Sequence, residues 1–295
     1  MADIYQERNN VEQNMEKSIQ EFDEAIKLDQ KYSEAYYNKA LALSYLNKNK
    51  EAIEAYDKVI ELNSNDVECI YNKGLILIKL NKYIEAEQCL LKVIEILNKG
   101  KNNFSKNLDK IYFNLSKCQL KLKKNNEAID NLLLSIQHNK NNEDALYILA
   151  KCYLDIKKYQ EGLDIITKAI ILNPKNFEFL YIKAKILIEL EKYEEALNIL
   201  ERVIKINKKY SSAYFRKGIC YEKLENYEEA VNMYRKCKNL VPNDAQLSIS
   251  IGLCLIKLNQ NEEALKEFNE VLKINPKNKY AIHYKNKLKQ NVKID

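Results

Sequence analysis

An all-α solenoid of stacked antiparallel helix pairs is the fold class this sequence predicts, and three periodicities predict it. Small residues recur at Ala52, Ala86, Ala128, Gly162, Ala196, Ala230 and Ala264, with steps of 34, 42, 34, 34, 34 and 34. A second small-residue series runs twelve positions earlier, through Ala40, Gly74, Ser116, Ala150, Ala184, Gly218 and Gly252. The three prolines keep the same clock, since Pro174, Pro242 and Pro276 are separated by 68 and 34. A fixed period of 20–50 residues is the signature of a repeat architecture. Only 5 Gly and 3 Pro in 295 residues argue against a sandwich or barrel, which needs such residues at many hairpins.

Taken in chain order, residues 1–32 open with a polar stretch and close with an amphipathic helix over 14–29. They read as the second half of a degenerate repeat, or a cap. Full repeats occupy 33–66, 67–100, 109–142, 143–176, 177–210, 211–244 and 245–278. Residues 101–108 (KNNFSKNL) interrupt the array and read as a polar surface loop that can lengthen the helix before it. After Asn278, residues 279–295 read as one more helix with a lysine-bearing face (Lys285, Lys287, Lys289), the polar outer surface a solenoid end requires.

The repeat at 211–244 shows the local code. Tyr214, Gly218, Tyr221 and Leu224 fall on one face of a first helix. Glu225-Asn226-Tyr227 is a short turn. Ala230, Tyr234 and Cys237 mark a second helix and Pro242 stops it. Glu228 and Glu229 place negative charge in that helix's first turn, where the dipole favours it. Counting phases 1–34 from each repeat's start, phases 8 and 20 are small. Phase 24 is large throughout: Tyr56, Leu90, Leu132, Ile166, Leu200, Tyr234 and Phe268. Small residues let two helices approach closely, and large ones fill the space around the contact.

These landmarks resemble the tetratricopeptide repeat (TPR) family, whose 34-residue signature has aromatic, small, large and proline positions in this order. Departures are few: no Trp at phase 4, Ser248 there in the last repeat, and Gly162 in place of Ala. The resemblance implies a right-handed superhelix whose first helices line a concave groove, with phases 2, 5, 6, 9, 12 and 13 facing into it.

Little in the chain points to catalysis. Two His residues (His138, His283) leave little room for His-based catalysis or a His-rich metal site. No phosphate-binding glycine loop, nucleophile elbow or zinc-protease motif is present. Cys118, Cys152, Cys220 and Cys254 all fall at phase 10 and read as repeated core positions. Their expected separation of roughly 8–10 Å is too long for a disulfide. The expectation is therefore a non-enzyme with no cofactor and no metal. The N-terminus has no apolar signal segment and no stretch approaches a membrane span, so the expected compartment is the cytoplasm. The 44 Lys, 4 Arg and 36 Asn read as compositional bias rather than as a binding function.

Function then falls to the groove. Phase 5 is aromatic through six repeats: Tyr37, Tyr71, Phe113, Tyr147, Tyr181 and Phe215. Phase 6 holds Asn38, Asn72 and Asn114, and an amide both donates and accepts, so three in register can grip an extended peptide backbone. Some TPR proteins use such an asparagine ladder. Phase 9 holds Lys117, Lys151 and Lys185 between apolar residues, on the same helix face as the aromatics. The reading is an adaptor or scaffold that binds an extended partner segment with an acidic middle.

Two alternatives stand beside it. Residues 1–100 carry 13 basic and 18 acidic groups, residues 101–295 carry 35 and 24, and the basic part with its aromatics could stack single-stranded RNA. Against this, Arg is scarce and acids are interspersed. The same asymmetry permits self-association. The family's clamp for chaperone C-terminal tails finds Asn72 and Lys110 but fails at Tyr37, Leu41 and Asn114, which argues against that role.

Overall fold

The computed structural model describes residues 2–100, 103–242 and 244–291. Among these, every regular element is helical. The chain divides into two bodies, Met1–Ala145 and Leu146–Asp295, and each is a run of antiparallel helix pairs in which consecutive helices pack together.

In the N-terminal body, α1 (Ala2–Leu28) is followed by α2 (Ser33–Tyr45), α3 (Asn49–Leu62), α4 (Val67–Lys79) and α5 (Tyr83–Lys99). A short 3-10 turn (Asn103–Asn107), α6 (Leu108–Lys121) and α7 (Asn125–His138) complete it. Helix α8 (Glu143–Asp155) carries the chain into the C-terminal body. That body continues with α9 (Tyr159–Leu172), α10 (Phe177–Glu189), α11 (Tyr193–Ile206), α12 (Ser211–Lys223) and α13 (Tyr227–Leu240). It ends with α14 (Ala245–Lys257), α15 (Asn261–Ile274) and α16 (Lys279–Asn291).

The two small-residue series are buried, and the structure shows what they admit. Ala40, Ala52, Ala150, Ala184, Ala196 and Ala230 are fully enclosed, as is the phase-24 series from Tyr56 to Phe268. At Gly218 a Cβ would meet the Tyr234 ring at 2.4 Å, and at Gly252 one would meet the Phe268 ring at 2.7 Å. The large ring of the second helix thus lies directly on the bare backbone of the first. Ser116 keeps its place in this series because its hydroxyl donates to the Phe113 carbonyl at 2.6 Å.

The joint inside each pair is a backbone device that the sequence does not announce. At phase 15 the chain enters the left-handed region at Asn47, Asn81, Lys123, Lys157, Glu191, Glu225 and Asn259, with φ between 58° and 62° and no glycine among them. The hydrogen bonds explain it. The Lys48 amide donates to the Leu43 carbonyl and the Asn47 amide to the Ser44 carbonyl, and Lys192 and Glu191 do the same to Leu187 and Ile188. This is a Schellman closure of the first helix.

The joint between pairs uses asparagine differently. The side-chain carbonyls of Asn63, Asn139, Asn207 and Asn275 accept from the amide two residues on. Asp66, Asn142, Asn176, Asp244 and Asn278 then cap the next helix. Much of the asparagine content is therefore turn chemistry.

Three elements depart from the repeat. Helix α1 is one continuous helix of 27 residues ending where second helices end, rather than a helical pair, and Asp23 and Glu16 tie it to Lys39 and Lys48. Helix α5 runs to Lys99, beyond the end of its counterparts, and the 3-10 turn comes next, inside the insertion. Part of the insertion is thus helical, and Phe104 packs on the core of the N-terminal body. Helix α16 buries Ala281 and Leu288 and stacks Tyr284 on Phe268 at 5.6 Å.

Gly252→Ala is expected to lower stability by about 1–3 kcal/mol, because a ring must move in a filled core. Gly100→Ala, where nothing lies within 4 Å of the added Cβ, is expected to be silent; urea unfolding of the two variants compares them. Glu191→Gly is expected to raise stability by about 0.5–1 kcal/mol by relieving the left-handed residue, read in the same titration.

Candidate peptide-binding site

The first helix of each pair carries the candidate row, because phases 5, 6 and 9 lie on one face of it. In the N-terminal body the aromatic positions are Tyr37, Tyr71 and Phe113; Tyr37 and Phe113 are half-buried, while Tyr71 is only 8% exposed. In the C-terminal body Tyr147, Tyr181 and Phe215 are half-buried.

Two of the three asparagines are engaged with the chain itself. Asn72 Nδ2 donates to the Tyr37 hydroxyl at 3.3 Å and also reaches that of Tyr56. Burial, then the neighbouring Glu68 carboxylate, drives the Tyr37 hydroxyl well above the usual phenol range. Asn114 Nδ2 donates to the Tyr71 hydroxyl at 3.1 Å. Each bond joins the first helix of one repeat to that of the next, α2 to α4 and α4 to α6. Asn38 is half-buried on α2. The row expected to grip a ligand backbone is, at Asn72 and Asn114, a set of ties between neighbouring helices. Sequence spacing finds the residues but not the tyrosine hydroxyls they serve. Those hydroxyls lie 35 and 43 residues away, close to one repeat and to one repeat plus the insertion.

The lysine row is engaged differently. Lys117 Nζ lies 5.3 Å above the Phe113 ring and Lys151 Nζ lies 5.2 Å above the Tyr147 ring, cation–π contacts between residues four apart. Lys185 is half-buried, and its pKa is lowered by burial and then by the nearby charge of Arg216. Among the described residues none of Lys117, Lys151, Lys185 and Arg216 has a carboxylate within ion-pair distance. Elsewhere in the C-terminal body Lys217 pairs with Glu201, Arg235 with Glu263, and Lys238 with Glu267 and Glu270.

The C-terminal body also holds ring contacts along this face that the sequence reading missed in part. Tyr147 meets Phe179 at 5.4 Å, Tyr181 meets Tyr210 edge-on at 5.0 Å, and Tyr210 meets Phe177 at 5.2 Å. Tyr210 is the residue just before α12, and burial, then the neighbouring Tyr181 and Tyr147, pushes its hydroxyl up to about 12. Its position outside a helix hid it from a helix-periodic reading.

All seven cysteines are free, and burial raises the phase-10 thiols, Cys118 and Cys152 to about 11 and Cys220 and Cys254 to about 12. Among the described residues no helix is long and apolar enough to cross a membrane.

Known proteins share this arrangement of helices. A tetratricopeptide-repeat model matches residues 33–66 and a second matches 55–88. These residues carry tetratricopeptide repeats. The model of anaphase-promoting complex, cyclosome, subunit 3 matches 106–169 and 133–203. That of the tetratricopeptide repeat protein 21 C-terminal ARM domain matches 177–283. No curated protein matches the sequence.

Solved structures of TPR proteins superpose on it. The C-terminal part of a TPR repeat-containing protein from Cytophaga hutchinsonii gives a TM-score of 0.70 at 16% identity, over 84% of this chain and 98% of that one. YrrB, described as a TPR protein with an unusual peptide-binding site, gives 0.57 at 23% identity over 65% and 95%. MamA gives 0.55 at 24% identity over 58% and 93%. Repeats of this kind form protein-interaction scaffolds, the general role of this chain.

The Tyr71–Asn114 tie is testable. A double-mutant cycle of Tyr71→Phe and Asn114→Ala in urea unfolding is expected to give a coupling of about 0.5–1.5 kcal/mol. A coupling near zero means the bond does not join the repeats.

Proposed function

We propose that this chain is a non-enzymatic cytoplasmic adaptor that holds an extended, acidic segment of a protein partner against the C-terminal body. The observation that supports the reading is a group of cations on the first-helix face: Lys151 lies over the Tyr147 ring, and half-buried Lys185 lies close enough to Arg216 to feel its charge. Lys185, whose pKa is lowered by burial and then by Arg216, is stabilised by negative charge that arrives beside it. YrrB, with its peptide-binding site, supports the class of ligand. The free, buried thiols are consistent with a reducing compartment.

Physical arithmetic sets the ligand's form. Neighbouring first helices are about 10 Å apart, and an extended chain advances about 3.3 Å per residue, so a carboxylate every third residue stays in register with the cations. Exposed ion pairs contribute only about 0.2–1 kcal/mol each, so apolar side chains between the acids must supply most of the affinity, through the rings of Tyr147, Tyr181 and Phe215. Lys117 over Phe113 offers the same pairing of cation and ring in the N-terminal body. Asn38, with the amide capacity that Asn72 and Asn114 retain beyond their tyrosine bonds, would grip the backbone there.

The test is a fluorescent peptide of about 12 residues with Asp or Glu at every third position between apolar residues. The combined change Lys151→Glu, Lys185→Glu and Arg216→Glu is expected to weaken its binding at least tenfold in anisotropy, with far-UV helicity unchanged. Unaltered binding removes the proposal. A shallow dependence on salt is expected; a steep one, with tight binding of a poly-uridine probe, would favour single-stranded RNA instead.

A further inference from the structure

Helix α16 turns about half of its circumference away from the rest of the described chain. It packs on α15 and puts Ala281, Tyr284 and Leu288 into the core of the C-terminal body. At about 100° per residue those three fall in one stripe. Around the rest of the helix Lys279, Tyr280, Ile282, His283, Lys287 and Lys289 are all exposed, Tyr280 at 69% and Ile282 at 39%. No Asp or Glu stands on this helix. Elsewhere in the chain interspersed acids offset the lysines, but of the 42 acidic residues only Asp295 lies beyond Glu270, while Val271–Ile294 holds seven Lys. Glu270 itself stands in the cleft between α15 and α16 beside Lys266, Lys273 and Lys285, and it is paired with Lys238 of α13.

We propose that this exposed face of α16 is a docking surface for an anionic lipid bilayer. Charge complementarity gives the sign of the partner, and the side chains between the lysines give its kind. The headgroup layer of a bilayer takes up a tyrosine and an aliphatic side chain together, with the lysine ammoniums at its phosphates. Single-stranded nucleic acid would use Tyr280 by stacking but would gain little from Ile282. Each lysine near an anionic surface strengthens attachment about fivefold, and salt weakens that attraction within a Debye length. A helix of 13 residues lies on such a surface and does not cross it. Every residue of the face is on α16, so it is independent of the acidic-segment reading.

The test sediments the full chain with phosphatidylcholine vesicles, with and without phosphatidylserine. Pelleting that requires phosphatidylserine and is reversed by raised salt is expected. Lys279→Gln, Lys287→Gln and Lys289→Gln together are expected to weaken it about tenfold or more, with far-UV helicity unchanged. Tyr280→Ser with Ile282→Ser is expected to weaken it several-fold. A charge-matched change of exposed lysines on other elements, Lys50→Gln, Lys121→Gln and Lys140→Gln, is expected to leave it intact. Equal loss in the two triple variants overturns the proposal, because net charge alone is then at work. A chain that stays in the supernatant with phosphatidylserine overturns it, as does equal pelleting with and without that lipid. Tight capture of a poly-uridine probe through the same lysines, with vesicle binding indifferent to Tyr280 and Ile282, overturns it in favour of nucleic acid.

Discussion

The close approach of two helices at a residue with almost no side chain is the constraint on which the rest of the structure depends. Where Gly218 lies under Tyr234 and Gly252 under Phe268, the ring occupies the space a Cβ would take. That contact fixes the distance within a pair, and so fixes where the next pair can dock. Everything on the candidate face inherits its spacing from this. The rings of phase 5 and the lysines of phase 9 repeat along each body because the helices that carry them are held at a constant separation.

The repeat architecture was legible because three residue classes keep one period, and each class has a steric reason to do so. The helix ends were less legible. Phase 15 holds Asn, Lys and Glu, residue types with nothing in common except that a Schellman closure forces all of them into the same left-handed turn. A residue-type reading cannot see a feature that backbone hydrogen bonds impose. At the candidate site the sequence found Tyr37, Asn72, Lys151 and the rest of the row, since helical spacing puts them on a face. It did not find that Asn72 and Asn114 serve tyrosine hydroxyls of the preceding repeat, because partners so distant in sequence become neighbours only through the stacking itself. Tyr210 and Phe104 escaped for a simpler reason: both lie outside the α-helices, where periodicity says nothing.

The two bodies use the same row of positions to different ends. In the N-terminal body the amides and hydroxyls of the row bond to one another, and a ring from the insertion covers Tyr71, so much of the face is satisfied internally. In the C-terminal body Tyr181 packs against Tyr210, Lys151 lies over the Tyr147 ring, and Lys185 lies near Arg216. Polar groups satisfied within the chain add stability, and polar groups left unmatched add affinity for something else.

The seven glycine-free joints have an evolutionary consequence. Because main-chain bonds set the turn, whatever side chain happens to stand there, a gene encoding such an array can gain or lose whole modules by unequal crossing-over without any joint needing repair. Eight residues are not a module. An addition of that size shifts the register of every later repeat, and it persists here with a helical extension and an aromatic filler of its own.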